Sequence, residues 1–531
     1  MDQDIFSIPT LYSFDLPAIQ MDLSKLKSWA VLKKHADRFK NSGSQSGAFK
    51  KILNLDGIKF DLSNQLIDED ILTDLVRLTN ERNIDQKIDQ LISGEIINKS
   101  ENQASTHMDL RSPGLKPASK KNSSLVSQIS QMTKFEQSIN SGSKTGSNGK
   151  PFTDLVQIGI GGSHLGTKLL VESLSDFAIS HLKVHFISNI DPSNFLEVTK
   201  NLNPESTLFV VVSKSFRTLE MLVNFKSCKS WFSERTNKPE DFYKHCVAVT
   251  QNVEAAAKFG INKNDIFVIP KEVGGRYSIW SAGSLAAFIY LGSEVFLQFL
   301  SGAQKADDHF VSEKNKKENI PILMALISLW NYNLLGSKSH ALLVYSETLS
   351  PIIGYLQQLE MESNGKSCSV DNEVISHTTL PIIWGGIGTN GQHSYHQLLH
   401  QGTESFSTNF FIVAQDKSGM QEHHDWLLAN AFAQATALRN GIQFKDKKEF
   451  HKNLRGGHPS SITLLEKITP STIGTLLALQ EHKVFCESVL WNINPFDQWG
   501  VEHGKELAEG IFERIHSDFA ESKQSFYDSY L

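Results

Sequence analysis

Cysteine is scarce in this chain: four residues in 531, Cys228, Cys246, Cys368 and Cys486, none of them in CxxC spacing. That scatter excludes a disulfide framework and a thiolate metal site. Excess charge of either sign is equally lacking. A formal net charge of −6 leaves no basic domain of the kind that nucleic-acid binding requires. Long apolar runs are missing too. The best window, 285–300, is interrupted by Gly292, Glu294 and Gln298, too polar for a membrane span. The opening Met-Asp-Gln-Asp-Ile-Phe is acidic and carries no hydrophobic stretch of a secretory signal. The expectation is a soluble, cytoplasmic protein with neither nucleic acid nor membrane as partner.

At 531 residues the chain exceeds what one hydrophobic core usually serves, so two domains are expected. Residues 24–92 read largely as helix, with Ile71, Leu72, Leu75 and Leu78 near a helical period. From 98 to 150 the chain turns rich in Ser, Asn, Lys and Gly. That reads as loop, with room for a helix around 125–135. A regular beat follows: Leu155–Ile160, Val184–Ile187, Leu208–Val212, Val247–Val249 and Ile266–Ile269 are short, apolar and β-branched. Helical-length segments separate most of them, the pattern of βαβ units around a buried parallel sheet. Asp191-Pro192 is a good helix start, an N-cap carboxylate before a proline at the first helical position. Ala341–Tyr345, Pro381–Trp384 and Phe410–Ala414 form a second strand set. The fold class is therefore α/β, with two doubly wound parallel-sheet domains and additional helices. The expected divisions are a helical segment and connector over 1–119, domains over 120–300 and 301–510, and a helical tail over 511–531. The two halves read as distant copies of one architecture.

Several loops carry polar chemistry. The strand ending at Ile160 runs into Gly161-Gly162-Ser163, and the one ending at Val212 into Ser213-Lys-Ser-Phe-Arg-Thr218. Ligands of parallel sheets sit at the carboxyl ends of strands, where helix N-termini and hydroxyls hold phosphate. Each loop alone could be an ordinary turn or N-cap; two together favour a small phosphorylated ligand. A dinucleotide fingerprint fails, because His164 stands where the third glycine belongs. Arg276, after Gly274-Gly275, suits an oxyanion or an ion pair with Glu272. In Glu360-Met-Glu-Ser-Asn-Gly-Lys366 either Glu360 or Glu362 could act as a base, and spacing does not choose between them. His393 follows a glycine loop and could shuttle protons. His396 and His400 lie one helical turn apart without the glutamate of a zinc motif, so packing is the better reading. Near the C-terminus, 491–505 mixes aromatics with Gln498, Glu502 and Lys505; as a helix it puts Gln498 and Lys505 on one face.

Taken together, Gly159-Ile-Gly-Gly-Ser163, Ser213–Phe216, Val273-Gly-Gly-Arg-Tyr-Ser278, Met361–Lys366, Gly388–His393 and Asn494–Lys505 resemble the glucose-6-phosphate isomerase family, with a weaker match at Gly94–Asn102. The resemblance implies a pair of sugar-isomerase (SIS) domains. It implies interconversion of glucose 6-phosphate and fructose 6-phosphate, in glycolysis and gluconeogenesis, without metal or organic cofactor. Gly162, Ser163, Ser213, Ser215 and Thr218 would hold the substrate, chiefly its phosphate, with Lys214 nearby. Glu362 would move a proton between C2 and C1 through a cis-enediol, and Arg276 would stabilise the enediolate. His393 and Lys505 would assist ring opening, Gln498 would line the site, and Trp499 would help enclose it. A homodimer is implied, with His393 supplied by the neighbouring subunit.

The chain departs from that pattern at Ser215, Arg217, His164, Gly386-Ile387 and Gln103, where the family commonly has threonine, threonine, aspartate, an acidic-proline pair and arginine. None removes a catalytic role. A variant reading accepts mannose 6-phosphate as well, since a planar enediol has lost its C2 configuration. A reading of another class, a sugar-phosphate-binding regulator, would need the phosphate loops but no base and no counter-charge.

Overall fold

The structure is a computed structural model, and it describes residues 22–42, 49–112 and 120–517. The first residues of the chain, and the part of the expected tail beyond 517, lie outside the described residues. Among the described residues eleven strands form two sheets. They are β1 (Ile52–Leu55), β2 (Ile58–Asp61), β3 (Asp154–Ile158), β4 (Lys183–Ile187), β5 (Thr207–Val212), β6 (Cys246–Thr250), β7 (Ile266–Val268), β8 (Ser339–Tyr345), β9 (Ile382–Ile387), β10 (Phe406–Val413) and β11 (Ser460–Leu465).

The first sheet runs β4-β3-β5-β6-β7, parallel throughout. Its central strand β5 is buried at every position, which is why Thr-Leu-Phe-Val-Val-Val shows no polar alternation. In the second sheet β9-β8-β10-β11 repeats the order β4-β3-β5-β6, again parallel. Two halves of one architecture, expected from the strand pattern, are therefore present.

Three elements differ from the expectation. Within the stretch read as helix, helices cover Lys27–Ser42, Glu69–Glu81 and Ile84–Ser93, but 52–61 is a hairpin. It adds antiparallel to β11 and so extends the second sheet. Its turn, Asp56-Gly57, has φ of 50° and 77°, the left-handed pair that a two-residue hairpin needs to match strand twist. Within the Ser/Lys-rich stretch a helix covers Lys120–Asn140, longer than the 125–135 segment allowed for, and is anchored by buried Leu125, Met132, Phe135 and Ile139. Strand β11 had no counterpart in the strand reading. Elsewhere the local signals hold: Asp191 accepts from the Ser193 amide to start helix Pro192–Thr199.

The largest apolar cluster joins one face of each sheet, and a smaller cluster covers the other face of each. Helix Pro470–Trp491 is buried at almost every position, with helices Ser293–Ser312 and Ile320–Leu329 packed along it. Among the described residues no helix is long and apolar enough to cross a membrane.

Candidate active site

In the first sheet the chain passes from β3 outward to β4, then returns to the other side of β3 as β5. The carboxyl ends of β3 and β5 thus flank the switch point, where open α/β sheets bind ligands. Both loops singled out in the sequence are there. Residues 161–163 form a 3₁₀ turn after β3, leading into helix Leu165–Ser173; 213–218 follow β5 and lead into helix Leu219–Arg235. Neither His164 nor Thr218 caps its helix with a side-chain hydrogen bond, so first-turn N–H groups remain open to an anion.

The second loop is held from inside. Ser213 Oγ accepts from the Phe216 amide at 3.1 Å and lies 3.1 Å from Thr218 Oγ1. Phe216 adopts φ 55°, costly for a bulky residue, and its buried ring packs on Phe259 at 5.5 Å. Ser215 and Arg217 are exposed on the rim, whereas Lys214 is half-buried. Burial lowers the Lys214 pKa; the Glu101 and Glu272 carboxylates pull it back up, and Arg276 adds to the lowering. Lys214 and Arg276 therefore act on the same region.

Arg276 occupies a 3₁₀ segment, Gly275–Trp280, stacked against the first loop. A Cβ on Gly162 would lie 2.2 Å from the Gly275 carbonyl carbon, so only glycine permits this approach. The guanidinium is buried and almost fully committed. Nε donates to Ser363 Oγ at 2.6 Å, Nη1 to Gln498 Oε1 at 3.0 Å, and Nη2 to the carbonyls of Pro495 and of Asp497, the latter at 3.1 Å. Nη1 also stands 3.4 Å from Glu362 Oε1. The ion pair imagined with Glu272 is not the one formed.

Burial separates the two glutamates. Both lie in a π-helical turn, Gln358–Glu362. Glu360 points into the core, 1 % exposed, and accepts from Lys483 Nζ at 2.7 Å. Glu362 keeps 23 % of its side chain exposed, beside Arg276, with Oε2 accepting from Gln358 Nε2 at 2.8 Å. A Cβ on Gly161 would be 3.1 Å from that same Gln358 nitrogen, so the first loop and the carboxylate are neighbours.

Sequence reasoning missed the supports. Ser363 Oγ bridges Arg276 and the Tyr277 hydroxyl, 3.0 Å away. Lys366 Nζ donates to the carbonyls of Glu362, Ser363 and Asp497 at 3.0, 2.8 and 2.9 Å and pairs with the Asp497 carboxylate at 3.2 Å. Burial, reinforced by the Arg276 guanidinium, lowers the Lys366 pKa to about 8, against the opposite pull of Asp497 and Glu362. Asp497 is in turn held by Asn494 Nδ2 at 2.8 Å and by Ser100, the neighbourhood of the weak Gly94–Asn102 motif. The only sequence signal for these supports was membership of the same short motifs.

Other predicted residues lie apart. Gln498 joins Arg276, but Lys505 points outward on helix Glu502–Ser517, 62 % exposed, and pairs with Glu502 at 2.8 Å. Trp499 is 61 % exposed. His393, just after the short helix Gly388–Gln392, is exposed, and among the described residues no side-chain hydrogen bond joins it to Glu362 or Arg276. His396 and His400 share the Gln434 amide oxygen, at 3.0 and 2.7 Å, as packed residues do. His164 sits edge-on to Phe186 at 5.1 Å, and burial lowers its pKa to about 4.

Two helix-entry loops at a switch point, with a carboxylate–guanidinium pair beside them, define the class: a two-sheet α/β protein with polar and charged groups gathered at the carboxyl ends of its strands. Comparison with known proteins narrows this. The profile of the phosphoglucose isomerase family matches residues 61–529, and the chain belongs to that family. It is 38 % identical over 531 residues to a glucose-6-phosphate isomerase of Shewanella pealeana, covering 94 % of this chain and 96 % of the other. It is 40 % identical over 482 residues to that of Shewanella frigidimarina, covering 87 % and 88 %. The crystal structure of a glucose-6-phosphate isomerase from Chlamydia trachomatis superposes with a TM-score of 0.84 at 32 % identity, over 96 % of this chain and 99 % of that one.

Proposed function

We propose that the protein interconverts glucose 6-phosphate and fructose 6-phosphate, in glycolysis and gluconeogenesis, by moving a proton between C2 and C1 through a cis-enediol. The observation that carries the reading is the partly exposed Glu362 carboxylate 3.4 Å from the Arg276 guanidinium and next to the two phosphate-type loops. A protein that only bound sugar phosphate would need the loops and nothing more.

The phosphate docks on Ser213, Ser215 and Thr218, with Lys214 as counter-charge, while Gly162 and Ser163 border the sugar. Glu362 abstracts the proton, weakly acidic because it sits on carbon next to a carbonyl. Arg276, already fixed by four hydrogen-bond acceptors, meets the oxyanion as it develops. Such a preset cation needs no reorganisation at the moment of reaction. Gln498 orients it. His393 and Lys505 assist ring opening, with His393 contributed by the neighbouring subunit of a homodimer; its exposed position on one chain supports that role. No metal or organic cofactor enters these steps.

The test is conversion of fructose 6-phosphate by the purified protein in chelator-treated buffer, coupled to excess glucose-6-phosphate dehydrogenase. Turnover is expected. Glu362→Gln should keep sugar-phosphate binding and lose turnover by about 10²–10⁴-fold, the range for a positioned base. Full activity in that variant removes Glu362 from the mechanism. Binding without any turnover by the unaltered protein supports a regulator instead.

A further inference from the structure

Behind the Glu362–Arg276 pair stands a second cation, Lys366. Gly365 ends the helical turn before it. A Cβ at that position would lie 2.5 Å from the Met361 carbonyl oxygen, so only glycine lets the chain fold back there. The lysine side chain returns over the end of the turn and is 17 % exposed. Its Nζ has four acceptors: the carbonyls of Glu362, Ser363 and Asp497 at 3.0, 2.8 and 2.9 Å, and Asp497 Oδ1 at 3.2 Å.

The same three residues also meet Arg276. Glu362 does so through its carboxylate and Ser363 through its hydroxyl. Asp497 does so through the carbonyl that Lys366 already holds, which accepts from Arg276 Nη2 at 3.1 Å. Two of the lysine's contacts are those that any lysine at a helix end makes with the last carbonyls. The contact with Asp497 is of another kind. It ties the turn that carries Glu362 to a segment 131 positions further on, whose Pro495 and Asp497 carbonyls hold the guanidinium.

A neutral amine could not take this place, because it has one donor fewer and a lone pair that would face one of these oxygens. Keeping the charge is costly. Burial, and after it the Arg276 guanidinium, lower the Lys366 pKa from 10.5 to about 8, while the Asp497 and Glu362 carboxylates oppose them. A cation held against its own desolvation beside a cleft points to function more than to stability.

We infer that Lys366 is a positioning residue: through Glu362, Ser363 and Asp497 its ammonium sets the geometry between the Glu362 carboxylate and the Arg276 guanidinium, and the pair works only while that ammonium is charged. This deepens the isomerase reading of the site and rests on it. Turnover is then full when Lys366 is protonated and falls as pH rises through its pKa. The Asp497 carboxylate is what raises that pKa most, so removing it moves the fall to lower pH.

The test measures kcat and KM for fructose 6-phosphate by the coupled assay across the alkaline range. Calorimetric binding of sorbitol 6-phosphate, an open-chain alcohol with no carbonyl to react, reports separately on the phosphate loops. Lys366→Met should lower kcat by about 10²-fold, the effect of a misplaced reacting group, with KM and sorbitol 6-phosphate affinity kept within about threefold. The fall in kcat above about pH 8 in the unaltered protein should be missing from its profile. Asp497→Asn should retain that fall and shift it to lower pH. A methionine variant that keeps kcat within about twofold, or keeps the alkaline fall, overturns the inference. Loss of sorbitol 6-phosphate binding along with turnover also overturns it, since Lys366 would then support the fold in general. An Asp497→Asn profile that stays in place or moves upward does the same, and decides alone if the methionine variant does not fold. Absence of turnover in the unaltered protein refutes the isomerase reading and this inference with it; normal turnover that is indifferent to Lys366 refutes this inference only.

Discussion

Ser363→Ala tests whether the rate depends on how Arg276 is held. The Ser363 side chain is fully buried, and its oxygen accepts from Arg276 Nε at 2.6 Å while lying 3.0 Å from the Tyr277 hydroxyl. Alanine deletes this oxygen and little else. Tyr277 retains a longer contact with the Pro495 carbonyl, 3.4 Å, but Nε has no other acceptor among the described residues. A hydrogen bond from a charged donor contributes about 1.5–3 kcal/mol. At about 1.4 kcal/mol per decade, complete loss in the transition state is about 10- to 150-fold in kcat. Because Gln498, Pro495 and Asp497 still retain the guanidinium, the expected result lies within this range and not beyond it. The loss should fall on kcat more than on KM, since the phosphate loops are untouched. Steady-state kinetics by the coupled assay, with urea unfolding alongside, separate the two effects. A variant that loses stability but keeps kcat within about twofold would refute the claim that Ser363 positions Arg276 for catalysis.

Three other perturbations follow from the same geometry. Glu360→Gln leaves buried Lys483 with only Glu487, 3.4 Å away, and should lower stability by up to about 3–5 kcal/mol in urea unfolding with kcat of the folded protein nearly unchanged; a large fall in kcat at unchanged stability would return Glu360 to the mechanism. Lys366 has a pKa lowered from 10.5 to about 8, so between those values the unfolded chain binds the extra proton and stability rises with pH, by about 1.4 kcal/mol per unit. Unfolding of the unaltered protein minus that of Lys366→Met, from pH 7 to 10, measures this slope, and a flat difference contradicts it. Mixing Glu362→Gln with His393→Ala subunits under exchange should restore activity, because a mixed dimer has one site with both groups intact if His393 crosses the interface; no restoration despite proven exchange places both groups on one chain.

The sequence carried most of what is local. Strands buried on both faces, such as β5, announce themselves as unbroken apolar runs, and the loops after them could be placed at the ligand end from strand order alone. The Asp56-Gly57 hairpin was legible too, as a turn between alternating residues, but was hidden inside a stretch read for its helical period. Strand β11 was not legible. Ser460, Ser461 and Thr463 look like loop residues, and only the fold brings Gln65 to donate to Ser461 Oγ at 2.8 Å and Asn409 to accept from Thr463 Oγ1 at 3.2 Å. The two glutamates of one helical turn show the boundary most clearly. Residue type and spacing make Glu360 and Glu362 equal. Lys483, 123 positions away, holds one in the core at 2.7 Å, while Arg276 stands beside the other at the surface of the cradle. Lys505 is the converse: Gln498 and Lys505 share a helical face on paper, yet a 3₁₀ turn at Trp499–Val501 sends the lysine to solvent. Periodicity and turn chemistry act between neighbours in the chain and can be read from it. Charge pairing, burial and the aim of a side chain depend on which distant segments arrive beside it, so they were decided only by the tertiary structure.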